Sequence, residues 1–148
     1  MTNLSKEYTT DPVQSYSWSY QGKPFTSDMI QDNVGFVYEV TNLTNNKKYI
    51  GKKWFWSTRK LPPLKGKTRK RTVKKESDWQ VYYGSSDEVK SLVESQGSNS
   101  FKREILRLCK TKGECTYYEA KLQFDFDVLL RDDYYNEFIG CKIHSKHL

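Results

Sequence analysis

Two short β-prone runs flanking a turn-forming pentapeptide constrain the fold more than any other feature of the chain. Phe36-Val37-Tyr38-Glu39-Val40 and Lys47-Lys48-Tyr49-Ile50-Gly51 sit either side of Asn42-Leu43-Thr44-Asn45-Asn46. The asparagines accept the left-handed backbone that a tight hairpin requires. With the loop centred between Thr44 and Asn45, Tyr38 falls opposite Gly51 and Val40 opposite Tyr49. Cross-strand partners share a face, so Tyr38 and Tyr49 become diagonal neighbours on one side of the sheet. A glycine opposite Tyr38 leaves that ring's surroundings open.

Further elements follow from pattern. Phe101 to Leu108 reads as a third strand, although its periodicity also admits a helix. Ser85 and Glu88 form a capping-box pattern ahead of Val89, Leu92 and Val93, and Gly97 is a fitting stop. The stretch from about Thr116 to Leu130 reads as the main helix, with Tyr118, Leu122, Phe126 and Leu129 along one stripe. Residues 1–33 are polar with scattered aromatics (Tyr8, Tyr16, Trp18, Tyr20, Phe25) and read as an extended arm that packs by its rings. Residues 34–148 would then form the domain proper. A chain of 148 residues fits one domain, and an aromatic content of 15% is enough to build its core. The expected architecture is a mixed α/β (α+β) domain: a small three-stranded, mainly antiparallel sheet flanked by helices.

The net charge of +7 is concentrated in one place. Arg59, Lys60, Lys65, Lys67, Arg69, Lys70, Arg71, Lys74 and Lys75 lie together with no acid among them, so the rest of the chain is mildly acidic. A localised basic segment is the electrostatic footprint of a polyanion partner, commonly a phosphate backbone. Lys60, Lys65, Lys67, Arg69, Lys70, Arg71, Lys74 and Lys75 are the candidate DNA contacts. Pro62, Pro63 and Gly66 make the segment a loop or hairpin rather than one helix.

Tyr38-x-Val40-x-Asn42-x-x-Asn45-Asn46-Lys47-x-Tyr49-Ile50-Gly51 resembles the signature hairpin of the GIY-YIG nuclease superfamily, in which two tyrosines stand eleven positions apart on adjacent strands. Arg59 matches an arginine that follows the second tyrosine in many members. Glu119 matches a metal-binding glutamate on the last helix, and Asn136 an asparagine beyond it. The resemblance covers roughly residues 34–140. Phe36 stands where the family's first triplet opens with glycine, and a histidine common after the arginine has no counterpart. Lys48, Lys53, Tyr82 and Tyr83 are the candidates for its place, and the stretch at about 60–76 looks like an insertion.

The resemblance implies hydrolysis of DNA phosphodiesters by a phage or mobile-element type of endonuclease, homing enzymes included. Such chemistry needs an activated water, charge stabilisation at phosphorus and help for the leaving oxygen. By the resemblance, Glu119 would be the one protein carboxylate on a Mg²⁺ ion, with Mn²⁺ able to substitute. Arg59 would hold the non-bridging phosphate oxygens. Tyr38 would take the water's proton, and Tyr49 would orient water or phosphate. A free tyrosine has a pKa of about 10, so this base needs a neighbouring cation. Lys48, Lys52 and Lys53 are near in sequence, and by alternation Lys53 shares the face of Tyr49. Asn136 would brace the site.

Each residue also has a plainer reading. Hairpin tyrosines usually pack, Arg59 is the first charge of the basic loop, and Asn136 suits a turn. Thr116-x-x-Glu119 is itself a capping-box pattern. Their joint order and spacing favour the site. Cys109, Cys115, Cys141 and His144 are a poor zinc set, because the five-residue gap is too wide for a knuckle, and zinc is not expected. Three cysteines suit a reducing compartment. Neither an apolar span nor a signal-peptide pattern is present, so the expected setting is the cytoplasm of a bacterial host, with DNA as partner, no membrane, and homo-oligomerisation a route to specificity. Two rivals stand beside the nuclease: a nucleic-acid-binding protein without turnover, and a phage structural or interaction protein.

Overall fold

The computed structural model describes residues 17–148. Among the described residues seven strands and two α-helices follow in order: β1 Ser19–Tyr20, β2 Lys23–Pro24, β3 Gly35–Asn42, β4 Lys47–Trp54, β5 Trp56–Leu61, β6 Arg71–Glu76, α1 Asp87–Gln96, β7 Phe101–Cys109 and α2 Lys112–Asp125. The main sheet has five strands in the order β2-β1-β7-β3-β4, and β5 and β6 form a separate two-stranded ribbon. The expectation of a three-stranded sheet is therefore corrected. β3, β4 and β7 make its antiparallel centre, and β1 adds in parallel to β7 with β2 outside it. The added pair is two residues per strand, too short to alternate visibly. Its turn uses positive φ at Gln21 (54°) and Gly22 (82°), the mirror-image turn geometry that matches strand twist.

The β3–β4 register sets Tyr38 opposite Gly51 and Val40 opposite Tyr49. β3 is central and covered on both faces, which is why its apolar residues run almost continuously instead of alternating. One face carries Phe36, Tyr38 and Val40 into an aromatic core with Trp18, Phe25, Phe55, Trp79, Val89, Phe101 and Ile105. On the other, Val37 and Ile50 pack with Cys109, Cys115, Val128 and Tyr134 beneath α2. The β3–β7 ladder slips by one residue between Val37 and Tyr38, a bulge of the kind that re-aims side chains next to sites.

Both helix starts differ from expectation. The N-cap of α1 is Ser86, whose hydroxyl accepts from Val89 N at 3.3 Å, and this leaves Ser85 free of that duty. α2 begins at Lys112, capped by Thr111 accepting from Glu114 N at 3.0 Å. Glu114 Oε1 accepts from Lys110 N at 2.8 Å, so Glu114 closes the helix end. Glu119 thus lies inside the helix rather than at its cap. The helix stops at Asp125, and residues 126–130 are turns. The basic segment is the β5–β6 hairpin. Tyr8 and Tyr16 lie outside the described residues, whereas Trp18, Phe25 and Ile30 are buried in the core.

Candidate active site at the edge of the sheet

β4 is an edge strand, and the residues singled out from sequence, Arg59 excepted, gather around that edge. Alternation sends Tyr49, Gly51 and Lys53 to the aromatic face and Ile50 and Lys52 to the α2 face. A cavity of about 610 Å³ wraps the edge, lined by Tyr49, Lys52, Ser85, Glu119, Gln123 and Asn136 among others. A smaller cavity of about 320 Å³ adjoins it, bounded by Gly51, Lys52, Lys53, Tyr82, Ser85 and Glu119.

On the aromatic face, Tyr38 is buried to 1% exposure, and its ring lies 6.3 Å from that of Tyr49. Its hydroxyl tucks under Gly51 and beside Gly84. Burial drives the Tyr38 phenol well above its usual range, and the neighbouring Tyr82 and Tyr49 add to this. The Tyr82 ring packs edge-on to Tyr38 at 6.0 Å, and Ser85 Oγ lies 2.9 Å from Tyr49 Oη. The Tyr49 and Ser85 hydroxyls are thus paired on the cavity wall, with the Tyr38 and Tyr82 rings packed behind them. Lys53 Nζ lies 4.0 Å from the Tyr82 ring centroid and donates to Asp78 Oδ1 at 2.6 Å. That bond holds the Asp78 carboxyl below the ordinary carboxylate range.

From the other face, α2 brings Glu119 to the same cavity, its Oε1 accepting from Lys52 Nζ at 2.9 Å. Along the edge, Asn136 closes the strand: its Oδ1 accepts from Ile50 N at 3.1 Å and its Nδ2 donates to Ile50 O at 2.8 Å. Gln123 Nε2 donates to the same carbonyl at 3.0 Å. The chain beside it runs parallel to β4, with Lys48 N donating to Asp133 O and Tyr135 N to Lys48 O. An amide that both accepts and donates at one edge residue acts as one more rung of the sheet, which accounts for its burial.

Tyr49, Lys53, Glu119 and Asn136 are thus brought together, with Tyr38 one layer beneath. Arg59 is not: it lies mid-strand on β5, paired with Val73, and lines neither cavity. Among the described residues no arginine lines either one, and the cations there are Lys52 and Lys53. Ser85 and Gln123 escaped the sequence reading. The Ser85-Ser86 doublet signalled a helix start, but nothing in it said which serine caps. Cys109 and Cys115 are free thiols buried against one another, and Cys141 is exposed. Among the described residues no group of three or more His, Cys, Asp or Glu gathers in a metal-holding arrangement.

The hairpin with paired tyrosines, the glutamate-bearing helix and the asparagine at the strand edge describe a GIY-YIG domain. Residues 18–139 match the family model described as "Putative endonuclease segE, GIY-YIG domain", and the chain belongs to that family. It is 34% identical over 101 residues to "Putative endonuclease segE" of Enterobacteria phage T4. The alignment covers 68% of this chain and 39% of that relative, so the chain spans about two fifths of the relative's length. No solved structure matches.

Proposed function

We propose that the chain is a divalent-metal-dependent endonuclease that hydrolyses DNA phosphodiester bonds, with its centre at the β4 edge. The observation that carries the reading is the convergence of Tyr49, Lys52, Lys53 and Glu119 on two adjoining polar cavities that share Lys52 and Glu119, with Asn136 pinning the strand beside them. The donor set fits Mg²⁺, with Mn²⁺ as a substitute. Glu119 shares the cavity wall with Asp87, Glu88 and Glu137, and a cation held by Glu119 alone would keep most of the water shell that a hard, reluctantly dehydrated ion prefers. When bound, such an ion supplies Lewis-acid stabilisation of phosphoryl charge and a more acidic water.

The chain's own groups supply the rest. Lys52 neutralises Glu119 and, with Lys53, offers the positive charge that a phosphate oxygen meets in this cavity. Tyr49 presents its hydroxyl to the attacking water. Tyr38, kept protonated by burial, sits one layer beneath, its ring packed against those of Tyr49 and Tyr82. The water-facing role therefore moves from Tyr38 to Tyr49.

Supercoiled plasmid with Mg²⁺, beside Glu119→Ala and a chelator, tests this reading. Nicking by the wild type that falls at least about 100-fold in both controls is expected. The missing arginine and the buried phenol favour one rival, a DNA-binding protein without turnover. Binding without nicking, in Mg²⁺ and in Mn²⁺, would establish that rival instead.

A further inference from the structure

The β5–β6 ribbon is unusual in what it does not touch. All six residues of β6 but Glu76 are exposed, as are Ser57 to Lys60 of β5, so neither face of the ribbon packs on the body over most of its length. An isolated two-stranded hairpin is marginal in water, and such a ribbon gains most when a partner covers it. Its root, by contrast, is held firmly. Ser77 N donates to Phe55 O at 2.8 Å and Ser77 Oγ to Trp54 O at 2.7 Å. Beside that root, Lys53 and Asp78 make the ion pair at the cavity wall.

Alternation and register divide the ribbon into two faces. Trp56 and Glu76 share one of them. Trp56 packs against the aromatic core, and Glu76 Oε2 accepts from Ser27 Oγ and Trp79 Nε1. That face therefore turns toward the body at its root. The other face carries Ser57, Arg59 and Leu61 opposite Lys75, Val73 and Arg71 and turns away. At its middle sits the Arg59–Val73 pair. A guanidinium fork reads guanine O6 and N7, and an apolar side chain meets a thymine methyl.

We infer that the β5–β6 ribbon lies in the major groove of B-form duplex DNA, its outward Arg59–Val73 face toward the base edges and its tip lysines on the flanking phosphates. The inference takes DNA as the polyanion from the nuclease reading and adds the groove, the face and the requirement for a duplex. Six residue pairs span about 20 Å. The B-DNA major groove, about 12 Å wide, admits a two-stranded ribbon, whereas the deep, narrow major groove of A-form RNA does not. The inference also gives a place to Arg59, which lines neither cavity.

The test is equilibrium binding of the full chain, with chelator present to stop cleavage, to a 20-base-pair DNA duplex, its single strands and the matching RNA duplex. Tight binding is expected for the DNA duplex, with the single strands and RNA duplex at least about tenfold weaker at equal salt. Arg59→Ala should weaken duplex binding at least about fivefold, and more than Lys60→Ala, whose side chain lies on the opposite face. Lys65→Gln should lower the slope of log affinity against log salt by about 0.9. Both Arg59 and Lys60 are exposed, so folding is not at stake. Equal binding to all three nucleic acids, equal losses for Arg59→Ala and Lys60→Ala, or no binding would overturn the inference. Ribbon-dependent duplex binding without nicking keeps it and sinks the nuclease reading. Nicking with an unaffected Arg59→Ala does the reverse.

Discussion

Gly51 shows how closely single residues define this site. A Cβ added there would lie 2.5 Å from Tyr38 Oη and 2.7 Å from its Cζ. The Tyr38 ring has nowhere to go, with Trp18 edge-on at 5.3 Å and Tyr82 at 6.0 Å. Gly51→Ala should therefore cost about 1–3 kcal/mol by overpacking, read as a lowered urea midpoint. The serine doublet makes a sharper pair. Ser86→Ala removes the α1 cap and should cost about 1 kcal/mol. Ser85→Ala should leave stability within about 0.5 kcal/mol while removing the hydrogen-bond partner of the Tyr49 hydroxyl, so nicking falls and the thermal midpoint does not. Tyr38 sets the alkaline limit. Its pKa in the folded chain lies well above the 10.0 of an ordinary tyrosine, because burial disfavours the phenolate. Between the two values the unfolded chain has lost a proton that the folded chain keeps, so stability falls as pH climbs past about 10. Urea titrations at pH 9 and pH 11 should show a steeper loss for wild type than for Tyr38→Phe; equal losses would mean that Tyr38 ionises in the folded chain as easily as in the unfolded one.

At the scale of elements, the edge of β4 depends on a residue nearly ninety positions away. Asn136→Ala leaves the buried Ile50 N–H without its acceptor and should cost about 1–3 kcal/mol. Asn136→Asp keeps an acceptor but cannot donate to Ile50 O when ionised, so it should destabilise above the carboxyl's pKa and recover partly in acid. Unfolding measured at pH 4 and pH 7 distinguishes the two substitutions. The β3–β4 hairpin was legible in sequence because its turn chemistry fixes the register locally, and β7 only in part, since its periodicity admitted a helix as well as a strand. The start of α2 was not, since Thr111-x-x-Glu114 and Thr116-x-x-Glu119 present the same capping pattern and only packing chooses between them. Arg59 was misplaced for a related reason. Spacing along a chain converts to position in space only when no ribbon intervenes, and here β5 carries the arginine off the body. Glu119 and Asn136 were reachable from order and spacing, whereas the Lys52 partner of Glu119 needed the two faces of β4 to be known.

The whole molecule is a sheet with a core on each face, and the two cores draw on different parts of the chain. The α2 side is built from residues downstream of Val34, while the aromatic side takes Trp18, Phe25 and Ile30 from upstream. Trp18 Nε1 donates to Trp79 O at 2.7 Å, and Phe25 stacks on Phe55 at 5.7 Å. Arg103, buried on β7, lies between the Trp18 and Tyr83 rings while donating to Gln80 O and Tyr82 O. The residues that the sequence suggested were an arm thus support the loop carrying Tyr82 into the site. Each of the three large side chains contributes about 1.5–3 kcal/mol by burial, against a total stability of about 5–15 kcal/mol for a domain. A chain starting at residue 34 should therefore lose cooperative unfolding, expose its tryptophans and fail to nick plasmid, whereas Trp18→Phe in the full chain should fold with a lowered midpoint. Tryptophan emission and a urea transition decide it. A sharp transition from the 34–148 chain would show that the α2 core alone sustains the fold and that the aromatic core is dispensable to it.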